Sequence, residues 1–596
     1  MTLALFLVVC VGLAAAPLPS WMKPLDLSSR DAAERVAKRV LAKPKMTLQH
    51  VEEKLAAQGG DGRDAPEGQG IGEQPVPLDA EEQELLTTRD ARADVDALKE
   101  LPTPALEPER PRVVVDRKEL VARAPSPKAD AIRVSARSVQ APGAAMDNPC
   151  VTEEPAPEGG VRCVRTALDP FFATLDAIAA GDAEARAAAV VLGNSLIASD
   201  HVTDVVRARL VERFGDGGRG FLLPDRLSKV AGRKVRTGEA TPGWLIENFA
   251  QDPPDPRSGK RLGPFGFTGS LHESSVAGER TAWRTDGASR ARLFYLEHGG
   301  QPAMRLEARG KAGTTVLARV EAMPAVAPEQ DAAIEVMVPA TARELVLVAE
   351  GKGARVYGVA LETSRGGVLV DTIGVPAASA QLYVESTDDE LFVRQLAQRE
   401  PALFVAMLGG NEVRSLDYKT TDPSRLDAYL STLLQRAKRA APDASCLVVS
   451  PIDAVKASAA GEELTSRPEI DTVIEVQRRV AKREGCAFFD LFEAMGGKGS
   501  LARFKDKGFL SEDLVHPTWR GGDVLGQLFA DALLQSYVDT PAVAGGVTVA
   551  RRREAKVKKP RVAGLSFPSE EQAVMVVTGK AQDEAPARRP LSRFFD

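Results

Sequence analysis

Residues 187–195 read AAAVVLGNS, and this stretch decides the fold. Six apolar residues in succession predict a short strand that is buried on both faces, which is typical of a parallel sheet. The strand ends in a turn made of Gly193, Asn194 and Ser195. Apolar residues then recur at helical spacing from residue 202 to residue 214, and GDGGRG at 215–220 ends the predicted helix. The unit is therefore a strand, a turn that carries a serine, and a helix.

Strands and helices alternate again in the second half of the chain. The predicted strands are residues 367–373, 402–408, 445–450 and 486–491. Helices are predicted from residue 425, where leucines recur at spacings of three and four, and at residues 470–483 and 524–537. This alternation indicates an α/β fold, in which a parallel sheet has helices on both faces.

A different period separates the two α/β segments. Across residues 263–363, apolar and polar residues alternate in short runs, as at Ile334, Val336 and Val338. A period of two with frequent turns is typical of the strands of a β-sandwich. We therefore predict an all-β sandwich-like insert at 263–363, between a first part of the α/β domain at 149–262 and a second part at 364–540.

The two ends of the chain lack such patterns. Residues 1–22 are mostly apolar and resemble a secretory signal sequence or an anchor, which predicts export to the periplasm or cell envelope. Residues 23–148 read as a low-complexity tether, mostly disordered, with short helices at 31–41 and 80–98. Residues 541–596 are predicted to be a basic disordered tail, for which peripheral contact with the envelope is one interpretation.

Charge and cysteine content narrow the possible partners and compartments. With 77 basic and 83 acidic residues the net charge is −6, which gives no overall field that favours nucleic acid as a partner. The cysteines that follow the signal-like segment are even in number and permit two disulfides in an oxidising compartment. Cys150 and Cys163 flank a short loop that they could close, whereas Cys446 and Cys486 read equally well as buried free thiols.

Ser195, Asp513 and His516 are the candidates for catalysis. A serine that attacks an acyl group needs an imidazole to take its proton and a further group to orient that imidazole. Ser195 precedes a helix, whose N-terminus favours developing negative charge, although a serine there is also an ordinary helix cap. Of the five histidines, His516 lies on a loop before the last predicted helix, three residues after Asp513. This spacing suits a triad, but a loop histidine beside a capping aspartate would look the same.

Four short motifs resemble the sequence blocks of the SGNH/GDSL hydrolase family. GNSLIASD at 193–200 is similar to the first block, G-D-S, and IGVPAAS at 373–379 is similar to the second. GGNE at 409–412 is similar to the third block, G-x-N, and DLVH at 513–516 to the last, D-x-x-H. The motifs occur in the family order, and each follows a predicted strand or precedes the last helix.

The resemblance implies both a fold and a site. It implies an SGNH hydrolase-like fold with Ser195 as nucleophile, His516 as base and Asp513 as the residue that orients His516. It also implies an oxyanion site made of the N–H groups of Ser195 and Gly374 and the side-chain amide of Asn411. No cofactor is implied, and no metal is required, because no cluster of His, Cys and Asp has the spacing of metal ligands.

The long interval between the first two motifs adds to the resemblance. Ser195 and Gly374 are 179 positions apart, similar to bacterial peptidoglycan O-acetylesterases, in which a β-domain interrupts the hydrolase fold. This implies a serine esterase that removes O-acetyl groups from peptidoglycan or a related envelope glycan. Two alternatives stay open. One is a glycan O-acyltransferase with the same triad, and the other is a catalytically inactive glycan-binding protein, supported by Asn194 in place of the Asp of G-D-S.

Overall fold

The computed structural model describes residues 115–122, 126–141, 145–156, 159–227, 238–251, 262–457 and 464–542. The predicted signal segment, the helices predicted at 31–41 and 80–98, and the basic tail beyond residue 542 lie outside these residues. Within them, none of the helices is long and apolar enough to span a membrane.

Helices cover both faces of a central sheet in the described part of the chain. In chain order they are α1 (Arg117–Ala122), α2 (Pro127–Arg137), α3 (Asp169–Ala179), α4 (Ser195–Ala198), α5 (His201–Phe214), α6 (Ala380–Glu385), α7 (Asp389–Ala397), α8 (Gly410–Asp417), α9 (Pro423–Ala440), α10 (Glu469–Arg483), α11 (Leu491–Ala494), α12 (Ser500–Asp506) and α13 (Trp519–Asp539). One face of the sheet carries α3, α5 and α13, and the other carries α7, α9 and α10.

The helix α9 illustrates how the sequence sets an element. Its N-cap is Asp422, whose side chain accepts hydrogen bonds from the first turn, and Pro423 occupies the first helical position, where its missing N–H costs nothing. The leucines at 426, 430, 433 and 434 are buried on one side. Capping at the start and one apolar stripe therefore fix both the beginning of α9 and its orientation on the sheet.

The strands form the central sheet, two further large sheets, and two two-stranded sheets made of β2 with β3 and β19 with β20. In chain order the main strands are β1 (Met146–Asp147), β2 (Cys150–Pro155), β3 (Val161–Thr166), β4 (Arg186–Gly193), β5 (Gly218–Leu222), β6 (Glu239–Ala240), β7 (Trp244–Asn248), β8 (Ser270–Ser274), β9 (Arg280–Arg284), β10 (Arg290–Glu297), β11 (Met304–Gly310), β12 (Gly313–Val320), β13 (Gln330–Met337), β14 (Ala342–Ala349), β15 (Arg355–Glu362), β16 (Gly367–Gly374), β17 (Leu403–Met407), β18 (Ser445–Val449), β19 (Val455–Ala457), β20 (Leu464–Ser466) and β21 (Ala487–Phe489).

The central sheet has the strand order β1, β21, β18, β17, β4, β16. The last five are parallel, and β1 pairs antiparallel with β21, so the predicted parallel sheet is in fact mixed at one edge. β4 lies between β16 and β17 and is buried along its whole length. Val191 faces the layer of α5 and α13, whereas Val190 and Leu192 face the layer of α9 and α10. A strand covered on both faces needs a continuous apolar run, which explains the sequence at 187–192.

The two other large sheets pack face to face as a β-domain. One has the order β13, β10, β15, β8, β7, with β5 beside β15, and the other has the order β12, β11, β14, β9, β6. Trp244 and Leu293 of the first sheet share a buried core with Trp283 and Leu345 of the second. Each sheet thus buries one face against the other.

The β-domain begins earlier in the chain than residue 263. β5 pairs with β15, β6 with β9 and β7 with β8, so the strands at 218–248 belong to the β-sheets. The assignment of all of 149–262 to the α/β domain is therefore wrong for these strands. They are short, and β5 starts inside GDGGRG, which reads as the end of a helix. No run of alternating residues was long enough there to indicate a strand.

The segment before residue 148 is also more ordered than its composition predicts. α1 and α2 pack against α13, and β1 extends the central sheet. Arg117 of α1 is buried and donates to Asp176 (3.0 Å) and to the Tyr537 carbonyl (3.0 Å), with its guanidinium 4.5 Å from the Tyr537 ring centroid. The predicted tether at 23–148 is therefore wrong for residues 115–122, 126–141 and 145–148. A buried arginine supplies contacts that an apolar pattern does not reveal.

Two disulfides cross-link the described residues. Cys150 and Cys163 join the hairpin of β2 and β3. Cys446 and Cys486 join the starts of the neighbouring strands β18 and β21. The interpretation of Cys446 and Cys486 as free thiols is therefore wrong, because the parallel pairing of their strands brings the two side chains together.

A buried charge network joins the central sheet to the β-domain. Arg399, which is 1% exposed, donates to Asp371 of β16 (2.6 Å) and to Glu362 of β15 (2.8 Å). Arg186 of β4 donates to the same Glu362 oxygen (2.7 Å), and the Phe221 N–H of β5 donates to Asp371 (2.7 Å). Burial alone would raise the Glu362 pKa, but the positive charges of Arg186 and Arg399 outweigh it and lower that pKa well below its usual range.

We predict that Arg399→Met destabilises the folded chain by about 3–5 kcal/mol, because two buried carboxylates lose a shared partner. Denaturant unfolding followed by circular dichroism measures the change. Arg365→Met, at an exposed arginine, serves as the matched control. An equal unfolding midpoint for both variants would contradict the role given to the network.

Candidate active site

Ser195 lies at the carboxyl end of β4 and is the first residue of α4. Asn194 caps α4, since its side chain accepts a hydrogen bond from the Leu196 N–H at 3.0 Å. Gly193 is required before it, because a Cβ there would lie 2.4 Å from the Ile197 side chain and 2.9 Å from the Met407 carbonyl oxygen. Within the described residues the Ser195 N–H has no hydrogen-bond partner. The serine thus stands on a tight turn with an unused backbone donor.

His516 reaches Ser195 although 321 positions separate them in the chain. Its Nε2 lies 2.9 Å from Ser195 Oγ, and its Nδ1 lies 2.7 Å from an oxygen of Asp513. The other Asp513 oxygen accepts the backbone N–H groups of Val515 and His516, both at 2.9 Å. With Nδ1–H donating to the carboxylate, Nε2 is left as an acceptor for the serine hydroxyl.

The electrostatics of Asp513 favour its ionised form. Burial alone would raise its pKa, but the hydrogen bonds from the His516 ring and from the two backbone N–H groups outweigh burial and lower the pKa to about 2. The carboxylate therefore stays negative at neutral pH and can stabilise a positive charge on the imidazole beside it.

Asn411 lies in the first turn of α8, directly after the carboxyl end of β17. Its Nδ2 donates to the Ala378 carbonyl at 2.7 Å, so the amide is fixed in orientation. Buried Glu412 accepts the Gly409 N–H and the Ala380 N–H, both at 2.9 Å, and so ties the start of α8 to the start of α6. Asn411 lines the same cleft as Ser195 and His516.

Gly374, like Ala377, is not among the residues that line the cleft. It ends β16 opposite Gly193 and packs under α4, where a Cβ would lie 2.1 Å from the Ala198 nitrogen. The turn that follows β16 contacts Asn411, because the Ala378 carbonyl accepts a hydrogen bond from the Asn411 side chain. In that turn the Ala378 N–H donates to Val375, whereas exposed Ala377 has φ +65° and an N–H without a partner in the described residues. A left-handed alanine has no sequence signal, so the motif pointed to the nearby glycine.

The cleft is built from the ends of several elements. Its walls come from residues 194–196, from Met407, Leu408, Gly410, Asn411 and Arg414, from residues 450–455 and 514–517, and from Leu501. Sequence reasoning missed Arg414, which lies about one turn of α8 beyond Asn411 and gives the cleft a positive charge. It also missed Asp453, because the loop after β18 carries no motif.

The other described histidines lie elsewhere. His272 is fully buried in the β-domain, and burial lowers its pKa to about 4. The ring nitrogens of His298 lie within hydrogen-bond distance of the Gly299 and Gly353 carbonyl groups in the β-domain. The side chain of His201 is only 14% exposed, with Nδ1 3.4 Å from Asp523. None of these three lines the cleft. In the described part of the chain, no group of three or more His, Cys, Asp or Glu residues could hold a metal ion.

Comparison with known proteins identifies the fold. Residues 341–524 match the model of the GDSL-like lipase/acylhydrolase family, a range that includes Asn411, Asp513 and His516 but not Ser195. No curated protein sequence matches the chain.

Solved structures match different shares of the chain. A structure of a peptidoglycan O-acetylesterase in action is 21% identical, covers 62% of this chain and 97% of its own, and has a TM-score of 0.51. An acetyl xylan esterase is 16% identical, covering 29% and 81% with a TM-score of 0.21. An active-site mutant of a family two carbohydrate esterase from Clostridium thermocellum is 12% identical, covering 50% and 98% with a TM-score of 0.21.

The first of these structures shares the fold over nearly its whole length, and the family model matches the segment that supplies the asparagine and the aspartate–histidine pair. Residues 341–524 are therefore a GDSL-like lipase/acylhydrolase domain, and the fold is that of an SGNH-type hydrolase.

Proposed function

We propose that the chain is a serine esterase that removes O-acetyl groups from peptidoglycan or a related envelope glycan, with Ser195, His516 and Asp513 as its triad. The observation that carries the proposal is a pair of hydrogen bonds: His516 Nδ1–H donates to Asp513 (2.7 Å), and the Ser195 hydroxyl donates to His516 Nε2 (2.9 Å). Both distances are within the range in which a base can take a proton from its nucleophile.

In the first half of the reaction, Ser195 Oγ attacks the acetyl carbonyl carbon while its proton passes to His516 Nε2. The tetrahedral intermediate then collapses, and the sugar oxygen leaves with the proton from Nε2. This breaks the ester bond of the substrate and leaves an acetyl group on Ser195. Asp513 stabilises the positive charge that His516 carries during the step.

In the second half, water replaces the sugar. His516 takes a proton from the water molecule, whose oxygen attacks the acetyl carbonyl, and the second intermediate releases Ser195 Oγ as that oxygen regains the proton. The products are acetate and the deacetylated glycan. No group other than water is consumed.

The negative charge on the carbonyl oxygen needs donors in both halves. The Ser195 N–H is available at the N-terminus of α4, and the Asn411 amide is held beside the cleft by its bond to Ala378. We assign the third donor to the Ala377 N–H rather than to that of Gly374, because Ala377 is exposed next to Asn411 whereas Gly374 is covered by α4. Donors fixed in advance stabilise the intermediate without reorganising.

Two features favour an exported enzyme that acts on a glycan. Two disulfides are typical of proteins that fold in an oxidising compartment. The peptidoglycan O-acetylesterase that shares the fold provides the substrate class, which we extend to this chain as a proposal. The basic tail would then lie near an anionic envelope polymer.

We predict that Ser195→Ala lowers acetate release from O-acetylated peptidoglycan on the order of 10⁶-fold, the scale for loss of a serine nucleophile. Acetate is measured enzymatically without any added sugar acceptor, which separates hydrolysis from transfer. Ser199→Ala, a few residues further along the chain, is the control and should keep near-normal activity. Retained activity in Ser195→Ala would rule out the mechanism.

Asn411→Ala should lower kcat roughly 100- to 1,000-fold with little change in KM, because the lost donor acts mainly on the transition state. Steady-state kinetics with p-nitrophenyl acetate gives both constants. If KM rises while kcat stays unchanged, Asn411 binds the substrate and does not stabilise the oxyanion.

The Asp513 carboxyl should remain ionised at pH 3.8, where an ordinary aspartate is half protonated. Its lowered pKa means that its contribution to stability is present above that pH and is lost as the pH falls through about 2. Carbon-13 NMR of the aspartate carboxyls, assigned with Asp513→Asn, follows the titration. In His516→Ala the Asp513 pKa should rise, since the ring hydrogen bond is gone. A midpoint near 3.8 in the unaltered chain would contradict this.

A further inference from the structure

Trp519 is an exposed indole at the first position of α13. Its exposed fraction is 57%, whereas Trp244 and Trp283 are 1% exposed in the core of the β-domain. Among the large hydrophobic residues that are exposed in the described part of the chain, it is the one aromatic. The exposed part of the indole is apolar surface that a ligand can bury.

The backbone beneath Trp519 is held on both sides. The Thr518 N–H donates to the Phe509 carbonyl (2.8 Å), and Thr518 Oγ1 donates to the Gly508 carbonyl (3.0 Å). The same hydroxyl caps α13 by accepting the Gly521 N–H. The indole is therefore presented from a fixed position and not from a loose loop.

The position is close to the reacting groups. Trp519 follows His516 by three residues, so their Cα atoms lie at most about 11 Å apart. Residues 514–517, directly before it, all line the cleft. A group bound on the indole is thus near the cleft where the acyl group reacts.

The exposed Trp519 indole has the chemical properties of a surface that binds a sugar ring. The face of an indole is electron-rich and attracts positively polarised C–H groups, which one face of a pyranose ring presents together with little polar surface. The Arg520 guanidinium lies over the Trp519 ring, 5.2 Å from its centroid, so a cation contacts one face of the indole. Such a pair suits a sugar that carries a carboxylate.

We propose that Trp519 and Arg520 form a subsite that binds a sugar ring adjacent to the acylated sugar of the glycan substrate. The subsite rests on the proposed function, because it binds the glycan polymer next to the ester that the esterase cleaves. It determines specificity for a chain of sugars over a small ester, and it takes no part in the bond-breaking steps.

The test compares two substrates in the full chain. For Trp519→Ala, the ratio of kcat/KM on soluble O-acetylated peptidoglycan fragments to kcat/KM on p-nitrophenyl acetate should fall about five- to ten-fold, the scale of an aromatic stacking contact. The loss should appear in KM for the glycan, since a subsite away from the ester binds ground and transition states equally. Trp519→Phe should recover most of the ratio.

Controls separate the outcomes. Met337→Ala, at an exposed residue of the β-domain, should leave the ratio unchanged. An unchanged ratio in Trp519→Ala, or an equal loss on both substrates, would overturn the subsite while leaving the esterase in place. Failure of the unaltered chain to release acetate from the glycan, with Ser195→Ala no different, would instead overturn the proposed function.

Discussion

The pairing of β4 between β16 and β17 is the constraint on which the site depends. Parallel strands present their carboxyl ends at one edge, so the loops that follow β4, β16 and β17 must meet there. Ser195 stands on the first of these loops and Asn411 on the third, and the second, at Ala378, is bonded to Asn411. The reaction requires these groups at one edge of the sheet. The apolar run of β4, which is buried on both faces, keeps that strand between β16 and β17.

The β-domain leaves the α/β fold after α5 and returns at β16, and buried charge marks the junction. Arg399 and Arg186 bring Asp371 and Glu362 together at the point where β5 and β15 meet the central sheet. Buried ion pairs are weak as sources of stability, but removing one partner is costly. The network therefore fixes how the β-domain meets the sheet, beside the strand that carries the serine.

Three of the six non-glycine residues with positive φ in the described part of the chain lie next to elements of the site. Asp200, Ala377 and Leu514 have positive φ without being glycine, and they follow α4, β16 and Asp513 respectively. Each such residue costs on the order of 1–3 kcal/mol and persists only where its surroundings hold it. At Leu514 the strain accompanies the turn in which Asp513 accepts two backbone N–H groups and the ring of His516. The strained turns set the directions of the side chains that the reaction uses.

The sequence by itself determined the elements of the α/β fold, because each strand and helix there has a local period that its own residues express. The run at 187–192 and the leucines of α9 are examples, and the motifs named Ser195, Asn411, Asp513 and His516 from residue type and order. What only the tertiary structure decided depends on contacts between distant residues. Examples are the 2.9 Å approach of His516 to Ser195, the bond from Asn411 to the Ala378 carbonyl, the disulfide at Cys446 and the packing of Arg117, which all arise from the way separate segments meet. No local sequence pattern encodes a contact between distant segments. The residues that flank each contacting side chain in the sequence are the same whether or not the contact forms.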